Sequence, residues 1–273
     1  MSRPKRSLSQ NFLVDPNLQR KIVSALDAGP GDAVLEIGPG HGELSRHLVG
    51  EVDPLVVVEK DDDLAELLRQ RWASRSDVRV VHGDALEVDL LETLPADRPY
   101  RVLSNLPYAV TSPLLFRVLG LDPPARRIVV TVQKEVGVRL AAEPGTGAYG
   151  SLTVGVQARA TVRLAFDVSR HAFRPVPDVE SATVVIDPDP ERIRSLPEPG
   201  LRRLTRAAFG RRRKQLQTIL RSAPEYALDR PAADALCRRL GVDPRVRPER
   251  LSPEQFVRLA ELLGGGAAEE GGA

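Results

Sequence analysis

Short apolar runs alternate with helix-patterned segments along the first half of the chain, and this alternation restricts the fold more than any other feature. Strand-like runs fall near 33–38, 55–59, 78–82, 100–104 and 126–132, with helical patterning between them. Apolar runs of that length suit strands covered on both faces by helices. The pattern therefore predicts an α/β fold with a doubly wound, mostly parallel sheet. Residues 161–168 and 181–187 have β-branched content and flank a proline-rich turn, so they are expected as an antiparallel pair at one edge of that sheet. Pro16 to Ala28 reads as a helix, with Asp15 as its N-cap and Pro16 in the first position.

The residues that follow the strands carry the chemistry. Val34-Leu35-Glu36-Ile37 runs into Gly38-Pro39-Gly40-His41-Gly42, where glycines let the backbone approach a ligand, and Glu43 to Val49 is expected to open as a helix. Leu55 to Val58 ends in Glu59, about twenty residues past the first glycine, where a carboxylate can take both hydroxyls of a ribose. Dinucleotide sites use the same pattern, and both readings stay open on this motif alone. The spacing here is Gly-x-Gly-x-Gly, with Glu43 where a third dinucleotide-type glycine would fall. Val78 to Val81 leads to Gly83-Asp84-Ala85, and Asp84 can accept from an adenine amino group.

Tyr100 to Leu103 ends in Ser104-Asn105-Leu106-Pro107-Tyr108, ahead of a helix-like stretch from Thr111 to Leu119. The Asn105 side-chain oxygen and the Leu106 carbonyl can both accept from an exocyclic amine. Pro107 fixes φ and removes a donor, and the Tyr108 ring can stack on the base that carries the amine. Each acidic residue by itself also suits a helix cap or a solvated loop. In an open α/β sheet, however, the C-terminal ends of the strands line one crevice. The ordered series Gly38/Gly40, Glu59, Asp84, Asn105 thus describes a nucleoside-type ligand with a planar amine beside it.

Composition sets the organisation around this crevice. With 273 residues, 42% of them hydrophobic, the chain can bury one large and one small domain. Asp187-Pro188-Asp189-Pro190, followed by Pro197 and Pro199, reads as a linker, giving a first domain at 1–188 and a helical domain at 189–264. Helices are expected at 201–221 (with a break near Gly210), 229–240 and 252–263, and residues 265–273 as a disordered tail. From Glu191 onward there are 17 Lys and Arg against 11 Asp and Glu, although the whole chain carries only +2. Arg211, Arg212, Arg213 and Lys214 are the sharpest cluster, preceded by Arg202, Arg203 and Arg206. Such a run is either a solvated face or a phosphate-binding one, and beside a base-binding crevice the second reading is preferred. Arg3, Lys5 and Arg6 form a second basic patch. No run approaches the roughly 18 apolar residues of a membrane span, and the N-terminus lacks a signal-peptide core, so a cytoplasmic location is the default expectation. The single cysteine, Cys237, excludes an intrachain disulfide, and His41, His47, His82 and His171 lack ligand spacing, so no metal is expected.

The motifs together resemble the ribosomal RNA adenine N6,N6-dimethyltransferases of the KsgA/RsmA type. The resemblance spans nearly the whole chain: Ser9-Gln10-Asn11-Phe12-Leu13, the glycine turn, Glu59, Gly83-Asp84-Ala85 and the Asn-Leu-Pro-Tyr turn. It continues through Val132-Gln133-Lys134-Glu135-Val136, Tyr149-Gly150, and Phe173-Arg174-Pro175-Val176-Pro177-Asp178-Val179-Glu180-Ser181. It ends with Ala208-Phe209-Gly210 leading into the basic cluster, and Arg247-Pro248-Glu249-Arg250-Leu251. It implies a Rossmann-like class I methyltransferase domain, S-adenosyl-L-methionine as cofactor, and dimethylation of two adjacent adenosines near the 3′ end of small-subunit (16S) rRNA within an immature 30S subunit. A monomer is expected. The resemblance also implies cofactor contacts from Asn11 and Leu13, and Asn105 is expected to touch the cofactor as well as the target amine. Phe173 is a candidate second stacking ring, a residue that serves equally well as a core anchor for the proline-rich loop. Two other readings remain: an Erm-type enzyme acting on large-subunit rRNA, and a non-catalytic ribosome assembly factor. The chain departs from the family pattern at Ser9, where Gly is usual, at Ala109, where Asn is common, and in Val110-Thr111-Ser112-Pro113, where Ile-Ser-Thr-Pro is usual.

Overall fold

The computed structural model of the chain describes residues 11–106 and 110–269. Arg3, Lys5, Arg6, Ser9, Gln10, Pro107, Tyr108 and Ala109, named above, lie outside the described residues. The chain divides into two compact units. One holds the residues up to Val138 together with Thr161–Pro188, and the other holds Arg139–Ala160 together with Asp189 onward.

The first unit is built on a sheet whose strands are β2 (Ala33–Ile37), β3 (Leu55–Glu59), β4 (Val78–His82), β5 (Tyr100–Asn105), β6 (Arg127–Gln133), β7 (Ala160–Val168) and β9 (Ser181–Pro188). A separate two-residue pair joins β1 (Phe12–Leu13) to β8 (Phe173–Arg174). Strand order in the large sheet is β4-β3-β2-β5-β6-β9-β7. The β4-β3, β3-β2, β2-β5 and β5-β6 pairings are parallel, and β9 returns antiparallel to β6. Every residue of β2 and β3 is buried, as expected of central parallel strands covered on both faces. The chain runs outward from β2 to β3 and β4, then crosses back to β5 on the other flank of β2. The switch point of the topology therefore lies between β2 and β5, where open α/β sheets form their crevice.

Helix α1 (Pro16–Leu26) begins as its sequence suggests: the Asp15 carboxylate accepts from the Asn17 and Leu18 N–H groups, and Pro16 occupies the first turn. It stops two residues short of the expected Ala28 because Asp27 turns left-handed, at φ 55°. Helix α2 (Asp62–Arg71) is capped in the same way by Asp61, and α3 (Thr111–Leu119) and α4 (Lys134–Leu140) follow β5 and β6. The helix expected over Glu43–Val49 does not form: the segment holds turns and a three-residue 3-10 turn at Ser45–His47. The cause is local. Gly40 and Gly42 sit at positive φ, and the Ser45 hydroxyl donates to the buried Glu36 carboxylate at 2.6 Å. That bond ties the segment to β2, and within it i−3 bonds (His47 to Leu44, Leu48 to Ser45) mix with i−4 bonds (Arg46 to Gly42, Val49 to Ser45) in place of a regular helix.

The second unit is helical: α5 (Ser151–Gln157), α6 (Pro190–Ser195), α7 (Gly200–Gly210), α8 (Leu216–Ser222), α9 (Arg230–Leu240) and α10 (Pro253–Glu269). Two sequence expectations need correction here. Residues 139–160, assigned from sequence to the first domain, belong with this unit, because Tyr149, Val154 and Ala158 share a buried cluster with Leu201, Leu204 and Phe256. The segment after Asp189 is not a bare linker, since the Asp189 carboxylate caps α6. The break between α7 and α8 falls where Gly210 suggested, whereas α10 continues to Glu269, beyond its expected end at 263.

Tyr149 is fully buried and donates its hydroxyl to the Leu251 carbonyl at 2.8 Å, tying the Tyr-Gly motif to the Arg-Pro-Glu-Arg-Leu motif. Tyr149→Phe strands that carbonyl in a dry core. We expect it to destabilise the chain by about 1–3 kcal/mol, read as a lower urea midpoint with little change in the folded circular dichroism spectrum.

Candidate active site

Four neighbouring strands, β4-β3-β2-β5, deliver the expected residues to one end of the sheet. Gly38 follows β2, Glu59 closes β3, Asp84 follows β4 by two residues and Asn105 closes β5. Register holds the switch point closed behind them: Ile37 pairs with Ser104, and the buried Ser104 hydroxyl donates to the Ile37 carbonyl at 2.6 Å.

In the glycine turn, Gly38, Gly40 and Gly42 have φ of 66°, 61° and 80°, a region that disfavours residues with a Cβ. A side chain on Gly38 would meet nothing within 4 Å, so open space lies beside that backbone. At Gly40 a Cβ would come within 2.9 Å of the Phe12 ring and 3.1 Å of the Glu43 carboxylate. The Gly40 N–H donates to Glu59 at 3.1 Å, and the Asp61 N–H donates to the other Glu59 oxygen at 2.9 Å. Glu59 is only 5% exposed, and burial pushes its carboxyl upward from the usual range. Asp84 lies under the opposite influence. Lys60 donates to it at 2.6 Å and the Leu86 N–H at 2.9 Å, which lowers its pKa, the Lys60 bond contributing most.

Asn105 is oriented by the N-terminal segment. Its side-chain nitrogen donates to the Asn11 main-chain carbonyl at 3.1 Å. Leu106 is buried, its N–H bonded to the Thr131 carbonyl at 3.0 Å. The structure thus brings Asn11, Gly40, Glu59 and Asn105 into one neighbourhood, with Leu13 buried beneath as part of the core. Phe173 does not join them as a free ring. It is 1% exposed, sits in the same core cluster as Leu13 and pairs with it across β8 and β1, so it presents no open face to a base. The core-anchor role is the one the structure shows.

The basic cluster also divides. Arg212 forms an ion pair with Glu249 at 2.7 Å and donates to the Gly147 and Thr146 carbonyls, a partly exposed brace within the second unit. Arg213 and Lys214 are exposed, as are Arg202, Arg203 and Arg206 along α7.

The sequence pattern assigned no role to Glu36, yet it is the most perturbed carboxyl of the site. It is 1% exposed in the middle of β2, and burial pushes its pKa up to about 8, with the Ser45 hydroxyl opposing and Glu43 and Glu59 adding to the shift. The signal was present: a lone acidic residue inside an otherwise continuous apolar strand is either neutral or partnered.

An open, mostly parallel sheet with a positive-φ glycine turn after its central strand and a buried acid closing the next defines a class I methyltransferase fold. A family profile for ribosomal RNA adenine dimethylase matches residues 1–264. The chain belongs to that family. It is 39% identical over 268 residues to ribosomal RNA small subunit methyltransferase A of Lactiplantibacillus plantarum, covering 95% of this chain and 90% of the relative. The protein of that name from Nitratidesulfovibrio vulgaris is 41% identical over 263 residues, covering 96% and 97%. Among solved structures, a dimethyladenosine transferase from Plasmodium falciparum shares the fold with a TM-score of 0.79 at 24% identity, covering 94% of this chain and 98% of that one. The 23S rRNA methyltransferase ErmE gives 0.68 at 27% identity, covering 93% and 99%.

Glu36 also makes stability depend on pH. Since folding raises its pKa from 4.5 to about 8, the folded chain holds this proton more tightly than the unfolded one. Its contribution to stability is complete below about pH 4.5 and is lost as pH rises through about 8. Urea midpoints measured across that range should fall less steeply in Glu36→Gln than in the wild type.

Proposed function

We propose that this chain is an S-adenosyl-L-methionine-dependent rRNA adenine dimethyltransferase that converts two adjacent adenosines near the 3′ end of small-subunit rRNA to N6,N6-dimethyladenosine. The observation that carries this reading is the placement of Asn105 at the switch point, with its amide nitrogen engaged by Asn11 and its oxygen left as an acceptor. Family membership supports the reaction, and the curated relatives at about 40% identity carry the small-subunit name.

The residues present fit the cofactor. Positive-φ glycines with open space beside Gly38 form a cradle, and Glu59 is a buried carboxyl at the place expected for ribose hydroxyls. Asp84, kept ionised by Lys60, can accept from the adenine amine. Asn11 and Leu13 complete the contacts by family resemblance. The cofactor supplies a methyl group on a cationic sulfur that leaves readily, so the protein's work is mainly positioning. Adenine N6 is a weak nucleophile because its lone pair is delocalised into the ring. Accepting both N6–H bonds at the Asn105 oxygen and the Leu106 carbonyl holds the amine and favours a pyramidal nitrogen. Its lone pair can then point in line with the methyl carbon. No strong general base is needed, because the methylated nitrogen becomes acidic and sheds its proton. Tyr108 is assigned to stack on the base, a contact type worth about 1–3 kcal/mol against the few kcal/mol spent extruding a nucleotide.

RNA phosphates are assigned to Arg211, Arg213 and Lys214, joined by the exposed arginines of α7, with Arg212 reserved for internal bracing. An immature 30S particle is the proposed substrate, the chain acting as a cytoplasmic monomer without a metal. Among the described residues no helix is long and apolar enough to cross a membrane, and no group of three or more His, Cys, Asp or Glu could hold a metal. The likeness to ErmE keeps a large-subunit target as the second reading.

The test incubates wild type and Asn105→Ala with labelled S-adenosylmethionine and undermethylated small subunits, followed by nucleoside analysis and nucleotide-resolved mapping. We expect N6,N6-dimethyladenosine on the small-subunit RNA, reduced at least about 100-fold in the variant. Methyl groups on large-subunit RNA would establish the second reading. Binding without transfer would establish an assembly factor. Equal activity on naked RNA would count against an assembled particle as substrate.

A further inference from the structure

Asn105 can face its target in two ways, and only one of them is useful. An amide flipped by a half turn exchanges acceptor for donors, and a donor facing the target amine repels its N–H groups. A main-chain carbonyl only accepts, so the Asn11 carbonyl at 3.1 Å requires the Asn105 nitrogen on its side and sends the oxygen the other way. The position of that carbonyl is itself held along a short strap. Phe12 and Leu13 pair with Arg174 and Phe173, and the Val14 N–H donates to the Ala172 carbonyl at 2.7 Å. The Phe12 ring lies 4.5 Å from the His41 ring and abuts Gly40, as the space there shows.

Gln19 completes the arrangement. It is 2% exposed on α1, a long polar side chain in a core position, and its amide nitrogen donates to the Leu13 carbonyl at 2.6 Å. The Leu13 carbonyl only accepts, so it fixes the Gln19 amide's own orientation, and the Gln19 oxygen lies 3.1 Å from the His47 ring nitrogen, where it accepts from the tautomer protonated there. Burying an amide in an apolar cluster is unfavourable unless both its ends are bonded, and here both are.

We infer that Asn11–Leu13 is an orienting strap for the target-base acceptor, in which the Asn11 carbonyl selects the productive face of Asn105 and Gln19 is a positioning residue that holds the strap against α1. This explains the choice of asparagine at 105. Aspartate would offer the target an equal or better acceptor, but it has no hydrogen to give Asn11 and would set oxygen against oxygen. The inference rests on Asn105 being the acceptor for the target amine, as proposed above.

The test compares wild type, Asn105→Asp, Gln19→Met and, as a packing control on the same helix, Ile22→Val. Ile22 is fully buried on α1 and has no polar side-chain atom to bond the strap. The first readout needs no catalysis: the Asn105 side-chain NH2 pair in an amide-labelled sample, assigned by its absence in Asn105→Asp. In wild type and Ile22→Val one of its two protons should be shifted downfield and protected. In Gln19→Met the two protons should draw together and lose protection. The second readout is kinetic. Asn105→Asp should lose about 100-fold in kcat and Gln19→Met about tenfold, with Ile22→Val near wild type. Full kcat in Asn105→Asp, or an undisturbed Asn105 NH2 pair in Gln19→Met, overturns the strap. Failure of wild type to methylate any RNA would instead overturn the proposed function, and the NH2 signals would still decide whether the strap orients Asn105.

Discussion

Everything at the site depends on the parallel junction between β2 and β5. The two strands are buried, so their main-chain polar groups must be paired within the sheet, and the register places Ile37 beside Ser104. The Ser104 hydroxyl spends itself on the Ile37 carbonyl, which closes the seam one residue before each strand releases its functional residue. Gly38 and Asn105 therefore emerge side by side, since parallel strands in register end together. The topology reverses direction at this junction, so nothing from the sheet's own connections covers it. A crevice there follows from the strand order.

Electrostatics divides the acidic groups around that crevice into two kinds. Glu36 and Glu59 are buried among apolar strands, and desolvation favours their neutral forms. Asp84 is partly exposed beside Lys60, which favours its ionised form. One end of the site thus keeps a carboxylate in place by an ion pair, and the other keeps carboxyls in place by hydrogen bonds from Ser45 and from the Gly40 and Asp61 N–H groups. Ser45 has a structural consequence as well, because its bond to Glu36 replaces the expected helix with a tight turn. Within the second unit a comparable economy holds: Arg212 and Tyr149 join sequence motifs that are far apart in the chain through one ion pair and one buried hydrogen bond.

Much of this is legible in one dimension. Fully apolar runs such as Leu55–Val58 suit central strands, and the residue after each run must lie at a strand end. The order of residues along the chain therefore suffices to place Glu59, Asp84 and Asn105 on one edge of the sheet. The capping of α1 by Asp15 is equally readable because its partners are two and three residues away. Where sequence pattern fails, the deciding partner is remote. Glu36 reaches over to Ser45, and residues 139–160 find their apolar partners beyond residue 200. Phe173 meets Leu13 across some 160 residues and enters the core in place of offering a free ring.

The sequence by itself determined the fold class and the order of the candidate groups along the sheet edge. These depend on local periodicity and on which residue follows which strand. Only the tertiary structure decided how those groups are held. The Asn11 carbonyl facing Asn105 and the engagement of Arg212 by Glu249 are contacts between distant segments, and the Gln19 amide supports Leu13 only because α1 folds back on the strap. Hydrogen-bond direction and desolvation depend on what surrounds a group in space, and no spacing along the chain encodes that.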